Sequence, residues 1–493
     1  MDANAQTIEQ QVIAARAVST PIIAIETPDP GATTKMLFAS VTSHAEKKNV
    51  SPPPMFLWDA ASALRPVNEE AFAVLPSMLE SVGGDPLATA HPTQALLVLA
   101  NAPVGAFIVA SNLHRFWDEQ RLDPTLVLTM PNCILPAELL HDVVIFSESL
   151  PTADELRPIV VKLHENAALP KPSSGELDAA TSALAGLATQ QAEQVTAISL
   201  RKTGLDMDAL RSHQRQQVEQ TPGVSIFDGD ETFDDLKGVD ALADFIRKVI
   251  GGKRPPRAFV FIDEIEKMFA GAFGAGGDSS GTSQEQHGYV LQFMVDKKAR
   301  GMIFVGDPGT GKSALSKASG NEGNCWTLAL DFGEMKGSLV GESGRMTRRA
   351  LTVADAIGQG DCFFLATCNN IDSLPPELRR RFSYGTWYVG MPDTQARKAM
   401  WKLYGGKFGV KVGGVDFDEG WTGAEIKTCV SMAADMDITV KAASRFVSPV
   451  SKSNPETSQR LRRLAHNRFL DASKGGLYQD QDIESTSATV VVT

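Results

Sequence analysis

The run Gly301-Met302-Ile303-Phe304-Val305 leads directly into Gly306-Asp307-Pro308-Gly309-Thr310-Gly311-Lys312-Ser313. An apolar strand that ends in the frame G-x-x-x-x-G-K-S and opens a helix is built to hold phosphate. Its glycines let backbone N–H groups turn inward, Lys312 adds a positive charge near β- and γ-phosphates, and the Ser313 hydroxyl can ligate Mg²⁺. At average amino-acid usage the four fixed positions match somewhere in such a chain by accident with a probability on the order of 2%. The strand before and the helix after lower that further. Residues Asp307, Pro308, Gly309, Thr310, Gly311, Lys312, Ser313 and Ala314 are therefore the candidate phosphate-binding set, and the implied ligand is a nucleoside triphosphate.

With 493 residues the chain has room for roughly two to four domains. Its 43% hydrophobic and 22% charged content is ordinary for a folded globular protein. The net charge of −12 opposes non-specific wrapping of nucleic acid, which needs a basic surface, and leaves room only for a local basic channel. The five cysteines, at 133, 325, 362, 368 and 429, are odd in number and scattered. Without a C-x-x-C or H-E-x-x-H motif, neither a disulfide framework nor a zinc site is expected. The start, Met1-Asp2-Ala3-Asn4, has no basic n-region, so no signal peptide is expected. The apolar run 95–110 contains Asn101, Pro103 and Gly105 and falls short of the about 20 residues needed to span a bilayer. A soluble, cytoplasmic chain with no membrane partner is the expectation.

Short apolar runs at 21–26, 55–58, 106–110, 125–129 and 142–146 alternate with helix-length segments, the pattern of a parallel α/β sheet. Pro/Ser/Gly punctuation at 170–175 precedes an Ala-, Gln- and Leu-rich helical stretch at 176–220. The expected domains are an α/β domain at 1–170, its helical lid or linker at 171–222, a second α/β core at 223–408, a helical lid at 409–472 and a flexible tail at 473–493. The two halves look related. AFIVASNLHRFW (106–117) lines up with AFVFIDEIEKMF (258–269), and LPAELLHD (135–142) with LPPELRRR (374–381). Leu150-Pro151 followed by Arg157 echoes Met391-Pro392 followed by Arg397. Three matches in one order indicate an internal duplication.

The differences between the copies say which half carries chemistry. Asp263 and Glu264 correspond to Ser111 and Asn112, and the arginines 379–381 to Leu140, His141 and Asp142. The first half reads TPDPGATTK at 27–35, without the phosphate-loop frame. In the second half, Asp263 at the end of FVFID would hold Mg²⁺ through its water shell, and Glu264 would orient and polarise an attacking water. The buried run FFLATCN (363–369) ends in Asn369, placed to hydrogen-bond a γ-phosphate or that water. Arg380 and Arg381 could reach the nucleotide of a neighbouring subunit, where a trans arginine accelerates phosphoryl transfer by about 10³–10⁵.

These residues resemble the AAA+ ATPases over about 224–470: Walker A at 306–313, Walker B at 259–264, sensor 1 at Asn369 and arginine fingers among 379–381. Thr422-Gly423-Ala424-Glu425-Ile426 is similar to the lid signature of the AAA clade, which adds Gly423 and Ala424 to the nucleotide contacts. TFDDLKGV (232–239) resembles the segment beside the adenine. The whole chain is most similar to the tandem AAA proteins encoded as a conserved reading frame in chloroplasts and cyanobacteria. The resemblance implies ATP and Mg²⁺ as cofactors and a P-loop NTPase fold, with a degenerate AAA-like first domain before the active one. It also implies a homo-oligomeric ring, a hexamer, acting on a protein partner. In this chain Walker B precedes Walker A, so the strands of a sheet ordered 5-1-4-3-2 in space would be visited as 3, 1, 2, 4. At the pore-loop position 337–343 stands Leu339 where relatives carry an aromatic, giving less grip on a threaded chain. ATP-driven remodelling of a protein partner is the leading expectation. An ATP-switched scaffold with low turnover is the alternative, and a nucleic-acid motor is a weaker third.

Overall fold

The computed structural model describes all residues except 1–6, 19, 114–124, 131–142, 228, 270–281, 336–341, 454 and 481–493. The chain forms two compact units, Met1–Leu177 with Leu187–Asp206, and Asp178–Gly186 with Met207–Thr493. The division therefore does not follow the expected boundaries at 170 and 222. The stretch expected to be helical contributes to both units, and its helices are Ser174–Leu184, Thr189–Ser199 and Met207–Val218. A small hairpin, β7 (Leu200–Arg201) with β8 (Gly204–Leu205), interrupts it.

The first unit holds β1 (Ile22–Glu26), β2 (Met55–Asp59), β3 (Ala63–Pro66), β4 (Phe107–Ser111), β5 (Thr125–Met130) and β6 (Val143–Ser147) in the order β3-β2-β4-β5-β1-β6. Every pairing is parallel except β2 with β3. Successive residues of a strand face opposite sides of a sheet. Accordingly Ile23, Ile25, Phe107 and Val109 pack with Leu37 and Val41, while Ala24, Ile108 and Ala110 pack with Phe56 and Trp58. Both faces are covered, so the strands read as continuous apolar runs.

The second unit holds β9 (Val224–Ile226), β10 (Ala258–Ile262), β11 (Arg300–Gly306), β12 (Trp326–Leu330), β13 (Cys362–Cys368), β14 (Thr386–Val389) and β15 (Leu470–Asp471). Their order in space is β15-β14-β11-β13-β10-β12-β9, all parallel except the β12–β9 edge pair. Phe259, Met302, Phe304, Phe363 and Leu365 form a core with Leu242, Ile246 and Leu315 from flanking helices. A separate apolar cluster, including Trp401, Trp421, Ile426 and Val430, holds the helices Thr394–Phe408 and Gly423–Asp435 together.

The strands β3, β7, β8, β9, β14 and β15 are not placed by the sequence reading, since runs of two to four residues carry too little periodicity to stand out, and neither is β12. The tail expected from 473 needs a correction for the same region. Leu477 bridges to Leu470, the Tyr478 N–H donates to the Phe469 carbonyl at 2.8 Å, and Asp480 is buried. These backbone bonds tie 473–480 to the sheet edge.

Candidate functional site

Three parallel strands end side by side. The register pairs Ile262 of β10 with Ala366 of β13, and Val305 of β11 with Cys368. Parallel strands place the loops that follow them at one carboxyl edge, where ligands of α/β sheets bind. Asp263, Asn369 and the 306–313 loop thereby meet, although they lie far apart in sequence.

The loop turns through Gly309 (φ +81°) and Gly311 (φ +98°), left-handed positions that glycine adopts without strain. Gly311 is also the N-cap of the helix Lys312–Gly323, whose unpaired N–H groups face the loop. Lys312 is 6% exposed, and its ammonium donates to the carbonyls of Gly306 and Asp307, both at 2.8 Å. Desolvation pulls its pKa down to about 8, against the opposing pull of Asp307 and other nearby acids. An arriving anion favours the charged form of such a buried amine.

The Ser313 hydroxyl donates to Asp263 Oδ1 at 2.9 Å, and Thr367 donates to the same oxygen at 2.5 Å. Glu264 follows in left-handed backbone (φ +46°), its N–H donating to Thr367 Oγ1 at 2.8 Å. Asn369 Nδ2 donates to Glu264 Oε1 at 2.9 Å, and Lys267 forms an ion pair with Oε2. Thr367 thus holds the Asp263 carboxylate and the Glu264 backbone at once.

A cavity of about 670 Å³ is lined by Asp263, Glu264, Asn369, the loop residues from Pro308 to Ala314, and Gly423 and Ala424. The Ala424 N–H donates to the Gly309 carbonyl at 3.3 Å, which sets the helical lid against the loop. Asp307 departs from its expected place. Its carboxylate accepts from Ser458 at 2.8 Å, and it contributes its carbonyl to the loop. Arg380 and Arg381 are exposed just beyond the short helix Pro376–Arg379, and neither lines the cavity. Leu339 lies outside the described residues.

Several lining residues escaped the sequence reading: Thr367, Met400, Tyr404, Lys407 and Lys427. Asp235 pairs with Lys407 at 2.7 Å, which lowers its pKa, and burial raises that of Tyr404. Spacing offered a faint signal, since 400, 404, 407 and 408 share one face of the helix Thr394–Phe408. Among the described residues no group of three or more His, Cys, Asp or Glu could hold a metal. Asp263 and Ser313 instead suit a magnesium ion that keeps waters and phosphate oxygens among its ligands.

No protein-family model matches the chain. The uncharacterized AAA domain-containing protein ycf46 of Guillardia theta is 22% identical over 324 residues, covering 57% of this chain and 57% of that protein. The Cell division cycle protein 48 homolog of Archaeoglobus fulgidus is 36% identical over 93 residues, 19% of this chain and 12% of that one. The chain is similar to AAA domain proteins. It spans little more than half the length of the ycf46 relative. A solved structure described as the structural basis for katanin self-assembly is 16% identical, covering 50% of this chain and 94% of its own at a TM-score of 0.31.

The residues of the first unit that align with Asp263 and Glu264 in the sequence are uncharged, Ser111 and Asn112. Ser111 Oγ lies 3.2 Å from Thr129 Oγ1 and Asn112 is left-handed (φ +58°), echoing Asp263, Thr367 and Glu264. At the helix start of 27–35, Asp29 accepts from the N–H groups of Ala32 and Gln190, and Thr33 donates to Glu148 at 2.5 Å. Carboxylates of the chain itself occupy this helix start, and their charge opposes the entry of an anion. Among the described residues, no helix of the protein is long and apolar enough to cross a membrane.

Proposed function

We propose that the second unit binds Mg-ATP at 306–313 and hydrolyses it, and that hydrolysis remodels a protein partner within a homo-oligomeric ring, a hexamer. One observation carries the chemistry: Asp263, Ser313 and Thr367 form one hydrogen-bonded group beside Glu264 and Asn369, around a cavity floored by the phosphate loop. Magnesium held through Asp263 and Ser313 would neutralise charge on the β- and γ-phosphate oxygens. The water oxygen bonds to the γ-phosphorus as the bridging bond to ADP breaks, and Glu264 takes the water proton. Lys312 gives up its loop carbonyls for the phosphates. Arg380 and Arg381 are the groups to be supplied to a neighbour's nucleotide, which suits their exposure at a distance from their own cavity.

The two sheets also suggest a history. Matching them in space pairs β1 with β11, β2 with β12, β4 with β10, β5 with β13 and β6 with β14. In that pairing the Walker B strand has moved ahead of the Walker A strand in the second copy only. The reading is a duplication followed by a transposition, with a first domain that folds without catalysing.

A low-turnover, ATP-switched scaffold draws support from Glu264, both of whose carboxylate oxygens are already engaged. Steady-state ATPase activity against protein concentration, with sedimentation in ATP, separates the readings. Turnover that rises with assembly supports the ring. Rates unchanged on dilution to clear monomer contradict it, and ATP binding without turnover favours the scaffold.

A further inference from the structure

We propose that Lys267 is a positioning residue that restrains the Glu264 carboxylate, and that hydrolysis requires it to let go. The proposal rests on the ATPase reading above. A base that takes a proton from water must turn a carboxylate oxygen toward it, and here both oxygens are already held by a partner. Oε1 accepts from Asn369 and Oε2 is paired with Lys267, three residues along the same turn.

The two restraints are unequal. Asn369 is anchored through its own N–H, which donates to Glu266 Oε1 at 2.9 Å, and it follows the fully buried strand β13. Lys267 has a side chain 72% exposed to solvent and a flexible stem. An exposed pair gains little over hydration of its separate charges. Lys267 is therefore the partner that opens more easily.

It also has somewhere to go. Lys267 lines a second cavity, of about 760 Å³, together with Lys317 and Asp331. That cavity touches the nucleotide cavity only at Asp263 and Glu264, the two residues they share. Lys267 can thus leave Glu264 into the second cavity without entering the nucleotide cavity. Its departure frees Oε2 to receive the proton of the attacking water, while Asn369 keeps the carboxylate aimed.

The test compares wild type with Lys267→Met and Lys267→Arg at saturating ATP, so that binding drops out. Lys267→Met should raise kcat roughly two- to fivefold, the factor an exposed ion pair commonly sets. Lys267→Arg, which keeps the charge, should stay near wild type. Wild-type kcat should rise with ionic strength as salt screens the pair, and the methionine variant should lose that dependence. An active wild type with equal kcat and equal salt slope in Lys267→Met overturns the proposal and leaves the ATPase reading standing. Silence in both overturns both, whereas a silent wild type with an active methionine variant supports the restraint most directly. A readout without turnover is the acylation rate of the Lys267 amine, followed by mass spectrometry. It should be faster in Glu264→Gln than in wild type, and equal rates overturn the proposal.

Discussion

Ser458, on the lid helix Pro455–Ala465, donates a hydrogen bond of 2.8 Å to the buried carboxylate of Asp307 in the phosphate loop. Two residues further on, Gly309 receives the Ala424 N–H from the start of another lid helix. The lid therefore grips the loop at two points, from two different helices. Removing the first grip with Ser458→Ala leaves a buried carboxylate short of a donor, at a cost of about 1–3 kcal/mol. The expected result is a lower melting temperature and a several-fold higher KM for ATP, with kcat little changed. Kinetics and thermal unfolding of that variant check it.

The second grip depends on glycine. A Cβ at Gly309 would sit 2.9 Å from Thr422 Oγ1 and 3.1 Å from the Ala424 Cβ, in backbone at φ +81°. Gly309→Ala combines left-handed strain of roughly 1 kcal/mol or more with a push of the lid away from the loop. Nucleotide affinity should fall at least tenfold by calorimetry, and an unchanged affinity would show that the lid yields freely.

Lys312 predicts a pH dependence with a defined sign. Its folded pKa of about 8 lies below the ordinary lysine value of 10.5, so between those limits the unfolded chain holds more protons. This group then makes nucleotide-free stability rise with pH from about 8 to 10.5, and it is fully unfavourable below 8. Bound phosphates favour the protonated amine, so ATP binding should take up a proton at and above pH 8. Affinity should weaken there by up to tenfold per pH unit. Calorimetry in buffers of different ionisation enthalpy measures the uptake, and zero uptake at pH 8.5 contradicts the assignment.

Glu264→Gln should bind ATP normally and lose about 10²- to 10⁴-fold in kcat, the range of a removed general base. Lys312→Ala should lose binding instead. Equal turnover in Glu264→Gln would place the base elsewhere.

The arginines are tested by mixing. Arg380→Ala and Arg381→Ala should each bind ATP, and the variant lacking the finger should hydrolyse it at least about 10³-fold more slowly. Mixing that variant with Lys312→Ala, which keeps its arginines, should restore part of the rate. Absence of rescue would remove the trans role.

Legibility followed the range of the interactions involved. Strands buried on both faces appear in the sequence as apolar runs of five to seven residues, and β10, β11 and β13 stand out for that reason. Asp263, Glu264 and Asn369 are readable because they end those runs. Tyr404 and Lys407 carry only the faint mark of a shared helix face and Lys427 none, since tertiary packing of the lid helices brings them to the nucleotide cavity. Loop membership, visible in sequence, puts Asp307 with the ligand, while side-chain direction is not visible there. Its carboxylate turns to Ser458, 151 residues away.

The sequence by itself determined the phosphate-loop frame and the two carboxylates that end a buried run. Each depends on residue type at a short, fixed spacing. Tertiary structure decided what binds those parts together. Parallel pairing through β13 brought Thr367 between Asp263 and Glu264, and packing of the lid helices set Ser458 and Ala424 against the loop. Such contacts join segments whose separation in the chain carries no periodic signal, so only the folded core could specify them.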